Sequence, residues 1–69
     1  MNATVTVTVN GVAREVAARS VDDLVAALGL AGKRIAVERN GEIVSRSRYA
    51  TTTIERGDRL EIVAAVGGG

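Results

Sequence analysis

Residues Thr4-Val5-Thr6-Val7-Thr8-Val9 alternate polar and apolar, so Val5, Val7 and Val9 share one face of a strand and the threonines take the other. Asn10-Gly11 follows, a pair suited to a type I′ turn because both central residues need positive φ. A returning strand is predicted over 12–17, with Arg14 interrupting the Val12/Val16 face. Ser20 then reads as a helix N-cap, and Asp23 three residues on makes a shortened capping box. Asp22 and Asp23 fall in the first turn, where the helix dipole favours negative charge. Val21, Leu24, Val25 and Leu28 form one apolar helical stripe, and Gly29 is placed to end it.

The second half repeats the strand pattern. Ile35 and Val37 point inward from a strand over 35–39, Asn40-Gly41 turns the chain, and a brief strand follows over 42–44. Residues 45–50 have no clean period and read as a loop or a single turn, while 51–54 reads as a short extended piece. Arg56-Gly57-Asp58 is a turn into a last strand over 59–66. There Leu60, Ile62 and Ala64 point one way, and Glu61, Val63 and Ala65 the other. The predicted fold class is α+β: a mixed sheet of four to five strands packed on one main helix. With the usual right-handed crossover, a β-grasp (ubiquitin-like) arrangement is the best candidate, its first and last strands parallel at the centre.

Composition narrows the chemistry. At 69 residues the chain holds one small domain, burying roughly 60% of the surface its unfolded form exposes. There is no cysteine and no histidine, which removes disulfides, thiol nucleophiles, imidazole bases and Cys/His metal sites together. Nine basic against eight acidic side chains give +1, so no nucleic-acid or anionic-membrane partner is indicated. Tyr49 is the only aromatic residue, too little for base stacking. No phosphate-cradling glycine motif is present, and no apolar run could span a membrane, so no catalytic residue and no metal site are assigned and a cytoplasmic setting is expected.

What remains is the C-terminus. Gly67, Gly68 and Gly69 carry no side chains, so they can thread a channel too narrow for other residues and adopt any backbone angle. The α-carboxylate of Gly69 is ionised at neutral pH and can attack the α-phosphorus of ATP; a sulfur donor displacing AMP then leaves a thiocarboxylate. A frayed terminus is the plainer reading of the same glycines. Val63, Ala65 and Val66 form a candidate docking surface beside the tail, with a β-prone surface valine as the alternative. Arg46 and Arg48 are a weaker candidate for binding a phosphate or an acidic partner surface.

The chain resembles the ThiS family of thiamine-pathway sulfur carriers over essentially its whole length. The likeness rests on Val9-Asn10-Gly11, on Ala36-Val37-Glu38-Arg39-Asn40 leading into Ile43-Val44, on Gly57-Asp58-Arg59-Leu60-Glu61-Ile62-Val63, and on Val66-Gly67-Gly68-Gly69. Ser45 departs from it, standing where many relatives have proline. The resemblance implies a β-grasp domain over 1–66 and a flexible tail over 67–69 that threads a partner's active site, with Gly69 as the modified residue. It implies a carrier and co-substrate, not an enzyme, with no cofactor of its own. An E1-like (ThiF-like) adenylyltransferase using ATP and magnesium activates the tail, and sulfur arrives from cysteine through a desulfurase. A ThiG-like thiazole synthase then receives it. The alternatives are a carrier for another pathway, such as a molybdopterin synthase small subunit, and a ubiquitin-like modifier or binding module.

Overall fold

The computed structural model describes residues 4–65. Strands β1 (Val5–Val9) and β2 (Val12–Val16) form the first hairpin, helix α1 (Val21–Ala27) follows, and β3 (Ile35–Arg39) and β4 (Glu42–Val44) form the second hairpin. A 3₁₀ turn (Arg46–Arg48) and a loop lead to β5 (Arg59–Ala64). The sheet order is β2-β1-β5-β3-β4, with β1 and β5 parallel at the centre and every other pair antiparallel. This is the β-grasp arrangement that the element order implies.

Turn chemistry sets the two hairpins. Asn10 and Gly11 have φ of +52° and +82°, and Asn40 and Gly41 have +53° and +87°. Those left-handed pairs twist in the sense that matches the flanking strands. They fix the registers Val9↔Val12 and Arg39↔Glu42.

The helix is closed at both ends. Ser20 Oγ accepts from the Asp23 N–H at 3.1 Å, and the Asp23 carboxylate reaches back to the Arg19 N–H at 3.2 Å, one residue before the cap. At the other end Gly29, with φ of +74°, donates to the Ala26 carbonyl, and Leu30 donates to Val25. This is the Schellman pattern, and it satisfies two carbonyls that the helix leaves free.

Burial follows the predicted parity. Leu24, Leu60, Val7, Val21 and Val37 are the largest fully enclosed side chains, and Val25, Tyr49, Ile54 and Ile62 pack with them. Each such aliphatic side chain contributes about 1.5–3 kcal/mol on burial. The helix stripe therefore covers the face of the sheet that Val7, Val37 and Leu60 share.

The helix has seven residues, and Leu28, its half-buried cap, packs against the core with the rest of the stripe, just before Gly29 as expected. Three expectations are corrected. The second strand stops at Val16. Residues 51–54 form no strand. There Thr51 and Thr52 turn their hydroxyls onto the Arg48 carbonyl at 3.3 and 2.7 Å, leaving a single bridge between Thr53 and Ser20. Ala64 has the inward parity but is exposed, because no described element covers that end of β5, which stops at this residue and not at position 66.

Candidate functional site

The strand that leads to the glycines is gripped along both edges. On the β1 side, the Thr8 N–H donates to the Asp58 carbonyl at 3.0 Å and the Asn10 N–H to the Leu60 carbonyl at 2.8 Å. The next link is a side chain: Asn10 Oδ1 accepts from the Ile62 N–H at 2.8 Å, and Asn10 Nδ2 donates to the Ile62 carbonyl at 3.0 Å. On the β3 side, the Asn40 N–H donates to the Arg59 carbonyl at 2.7 Å, Asn40 Oδ1 accepts from the Arg59 N–H at 2.8 Å, and the Ala65 N–H donates to Arg34. Each turn asparagine thus does two jobs, supplying positive φ and capping β5 with its amide. Sequence reasoning assigned only the first job.

At the base of β5, Asp58 is the one buried charged residue among those described. Its carboxylate accepts from Arg39 Nε at 2.7 Å, from Arg39 Nη2 at 3.3 Å, from Asn40 Nδ2 at 3.1 Å and from the Glu55 N–H at 2.8 Å. Burial alone pushes this carboxyl up, but the hydrogen bonds from Arg39, Glu55 and Asn40 outweigh it and hold the group below its ordinary value. The same hydrogen bond raises the Arg39 guanidinium above its ordinary value. These partners lie 18 and 19 residues away in sequence, so the Gly57-Asp58 motif could announce a turn but not its buried ion pair.

The open face of the sheet carries the apolar candidates. Val63 is 56% exposed and lies opposite Ala36, and Ala65 is exposed beyond it. Ile43, which sequence reasoning used only as a family marker, is 79% exposed and opposite Glu38. Glu38 also faces Glu61 across β3 and β5, so two carboxylates sit side by side in the middle of this face. Val66, Gly67, Gly68 and Gly69 lie outside the described residues.

Arg46 and Arg48 do not converge. Both side chains are exposed on the 3₁₀ turn, where residues two apart point in different directions. Arg46 lines a depression of about 160 Å³ with Lys33, Ile35 and Tyr49, and reaches the Lys33 carbonyl at 3.4 Å. Arg48 lines another of about 170 Å³ with Arg39, Glu42 and Ile43. Both volumes fall below the 300 Å³ or so at which small-molecule sites begin. Among the described residues no three His, Cys, Asp or Glu side chains are grouped to hold a metal ion, and no helix is long and apolar enough to cross a membrane.

Comparison with known proteins bears on the same segment. The family model described as ThiS family matches residues 7–69, a span that includes β5 and all three terminal glycines. The chain is 42% identical over 50 residues to the sulfur carrier protein ThiS of Bacillus subtilis, covering 72% of this chain and 76% of that one. It is 47% identical over 62 residues to a thiazole synthase of Paramagnetospirillum magneticum and 38% identical over 53 residues to one of Magnetococcus marinus. Those stretches cover 88% and 77% of this chain but only 19% and 16% of theirs, so the chain spans less than a fifth of each. The crystal structure of the thiamine biosynthesis protein ThiS from Geobacter metallireducens superposes with a TM-score of 0.80 at 35% identity, covering 93% of this chain and 99% of that one. From the gripped central strand to the glycines that follow it, and on these matches, the chain belongs to the ThiS family.

Proposed function

We propose that this chain is a sulfur carrier whose reactive group is the C-terminal carboxylate of Gly69. The observation that carries the reading is the construction of β5. The central strand of the sheet is held at both edges as far as Ile62 and along its β3 edge as far as Ala65, and four residues, three of them glycine, follow it to position 69. A rigid mount and a side-chain-free extension suit delivery of a carboxylate into another protein's narrow active site.

An E1-like adenylyltransferase using ATP and magnesium is the proposed activating partner. The Gly69 carboxylate attacks the α-phosphorus, pyrophosphate leaves, and a mixed anhydride with AMP forms. The outer sulfur of a persulfide, drawn from cysteine through a desulfurase, then attacks the carbonyl and displaces AMP. A second thiol cleaves the resulting acyl disulfide, releasing the thiocarboxylate and ending in a disulfide with the persulfide's carrier thiol. Thiazole synthase is the proposed acceptor, supported by two relatives that carry the matching stretch inside chains of that name. The carrier supplies no catalytic side chain: Gly67 and Gly68 thread the site, and Val63, Ala65 and Val66 dock beside it.

Intact-mass spectrometry tests the proposal directly. Exchange of one oxygen for sulfur at the terminus adds about 16 Da to the whole chain. Deleting Gly68 and Gly69 is expected to abolish both that gain and ATP-dependent adenylation, with the far-UV spectrum and unfolding midpoint unchanged. Adenylation that survives the deletion would sink the reading. Diglycine remnants on lysines of other proteins would replace it with the modifier alternative.

A further inference from the structure

We propose that Asn10 is a positioning residue that sets the direction in which the tail leaves the sheet. Residues Asp58, Leu60 and Ile62 turn their backbone groups toward β1, as their bonds to Thr8 and Asn10 show. The first two are met by backbone N–H groups of the β1 side. At the level of Ile62, β1 has already ended and the chain has reversed through Asn10-Gly11. The Asn10 amide fills that place, donating to one backbone group of Ile62 and accepting from the other. It is a one-residue substitute for a strand. The parallel ladder is carried one step further than β1 itself reaches.

This step sits where the strand has least other support. Ile62 is the last buried side chain of β5, and Ala64 is exposed. Beyond Ile62 the strand keeps its β3 partners, Ala36 opposite Val63 and Ile35 opposite Ala64, with Ala65 bonded to Arg34. One-sided pairing permits swinging about that edge. A bidentate grip on Ile62 from the opposite side removes the hinge at its root, so the Asn10 amide governs how Val63–Ala65, the stretch from which the tail departs, is aimed. Asn40 makes the matching grip on Arg59 at the other end of β5, where burial of Asp58 and Leu60 already fixes the strand.

The inference rests on the sulfur-carrier reading for its consequence, not for its geometry, and the test separates the two. Asn10→Gly keeps a residue suited to φ of +52° and removes both side-chain bonds. By amide exchange on the full-length chain, Ile62 is expected to exchange at least about tenfold faster, and Val63 and Ala65 severalfold faster, with Val37 and Leu60 within about twofold. In adenylation by the partner enzyme, the KM for the carrier is expected to rise severalfold with kcat unchanged, because a misdirected tail enters less often but reacts normally once seated. Asn40→Gly is the control, expected to speed exchange at Arg59 and leave KM as it was.

Unchanged exchange at Ile62 overturns the proposal. So does a uniform rise that includes Val37 and Leu60, which makes Asn10 a determinant of the whole fold, and so does an equal rise in KM for Asn40→Gly. A wild-type chain that no adenylating enzyme accepts removes the sulfur-carrier reading instead. The localised exchange pattern then decides alone whether Asn10 grips the strand.

Discussion

At the scale of single residues, Asp58 concentrates more polar structure than any other position described. Four donor contacts converge on the carboxylate of a residue that is 5% exposed. The sign of its pH dependence follows from its held-down pKa. A carboxyl whose folded value lies below its unfolded value stabilises the fold at neutral pH, and that contribution is lost as pH falls from the ordinary value near 3.8 through the folded one. The urea midpoint is therefore expected to be flat near neutrality and to drop below about pH 4. Arg39 adds no such window, since its shift lies on the alkaline side of any working pH. Asp58→Ala leaves Arg39, Asn40 and the Glu55 amide without their acceptor and is expected to cost roughly 2–3 kcal/mol. Its urea midpoint should also lose most of the acid sensitivity. A midpoint that falls with pH as steeply in the variant as in the wild type would assign that sensitivity to other carboxylates.

At the scale of elements, legibility depended on how local the determining interaction is. Alternation in β1, the helical stripe of α1 and both Asn-Gly turns are short-range patterns, and each names its own structure. Residues 51–54 show the reverse. β-Branching favours a strand there, but a threonine hydroxyl also bonds nearby carbonyls, and the Arg48 carbonyl lies within reach. The side-chain roles of Asn10 and Asn40 escaped notice because their partners on β5 lie 52 and 19 residues away. The exposure of Ala64 escaped for a similar reason, since parity along a strand does not say where its cover stops. The helix cap was legible and can be weighed. Ser20→Ala frees the Asp23 N–H and is expected to cost about 1 kcal/mol by urea denaturation. Ser20→Asp, which keeps an acceptor in place, is expected to recover most of it.

At the scale of the whole molecule, the sheet has one face under the helix and one face open, and the two carry different burdens. Stability resides with Leu24, Val7, Val37 and Leu60 on the covered side. The open side holds Val63 and Ile43 with large exposed areas, around two facing carboxylates, Glu38 and Glu61. Among the described residues the one ion pair, Arg39–Asp58, lies elsewhere, so no described cation meets that acidic pair at ion-pair distance. Like charges directly opposite on a sheet are mildly destabilising, and exposed valine and isoleucine gain little from folding. A partner that covers this face with apolar groups and a basic side chain would relieve both costs. Val63→Asp therefore discriminates between the two burdens. It adds a carboxylate on the same face two residues from Glu61, a repulsion of a few tenths of a kcal/mol, so the unfolding free energy should change by less than about 1 kcal/mol. Desolvating that new charge against an apolar partner surface is far more costly, so affinity for the proposed adenylating partner should fall at least about tenfold. Ile43→Asp tests how far the contact extends: a comparable loss places β4 inside the interface, and an unchanged affinity confines it to β5 and the tail. If calorimetric titration gives the same dissociation constant for Val63→Asp as for the wild type, Val63 is a surface valine and the tail alone is recognised.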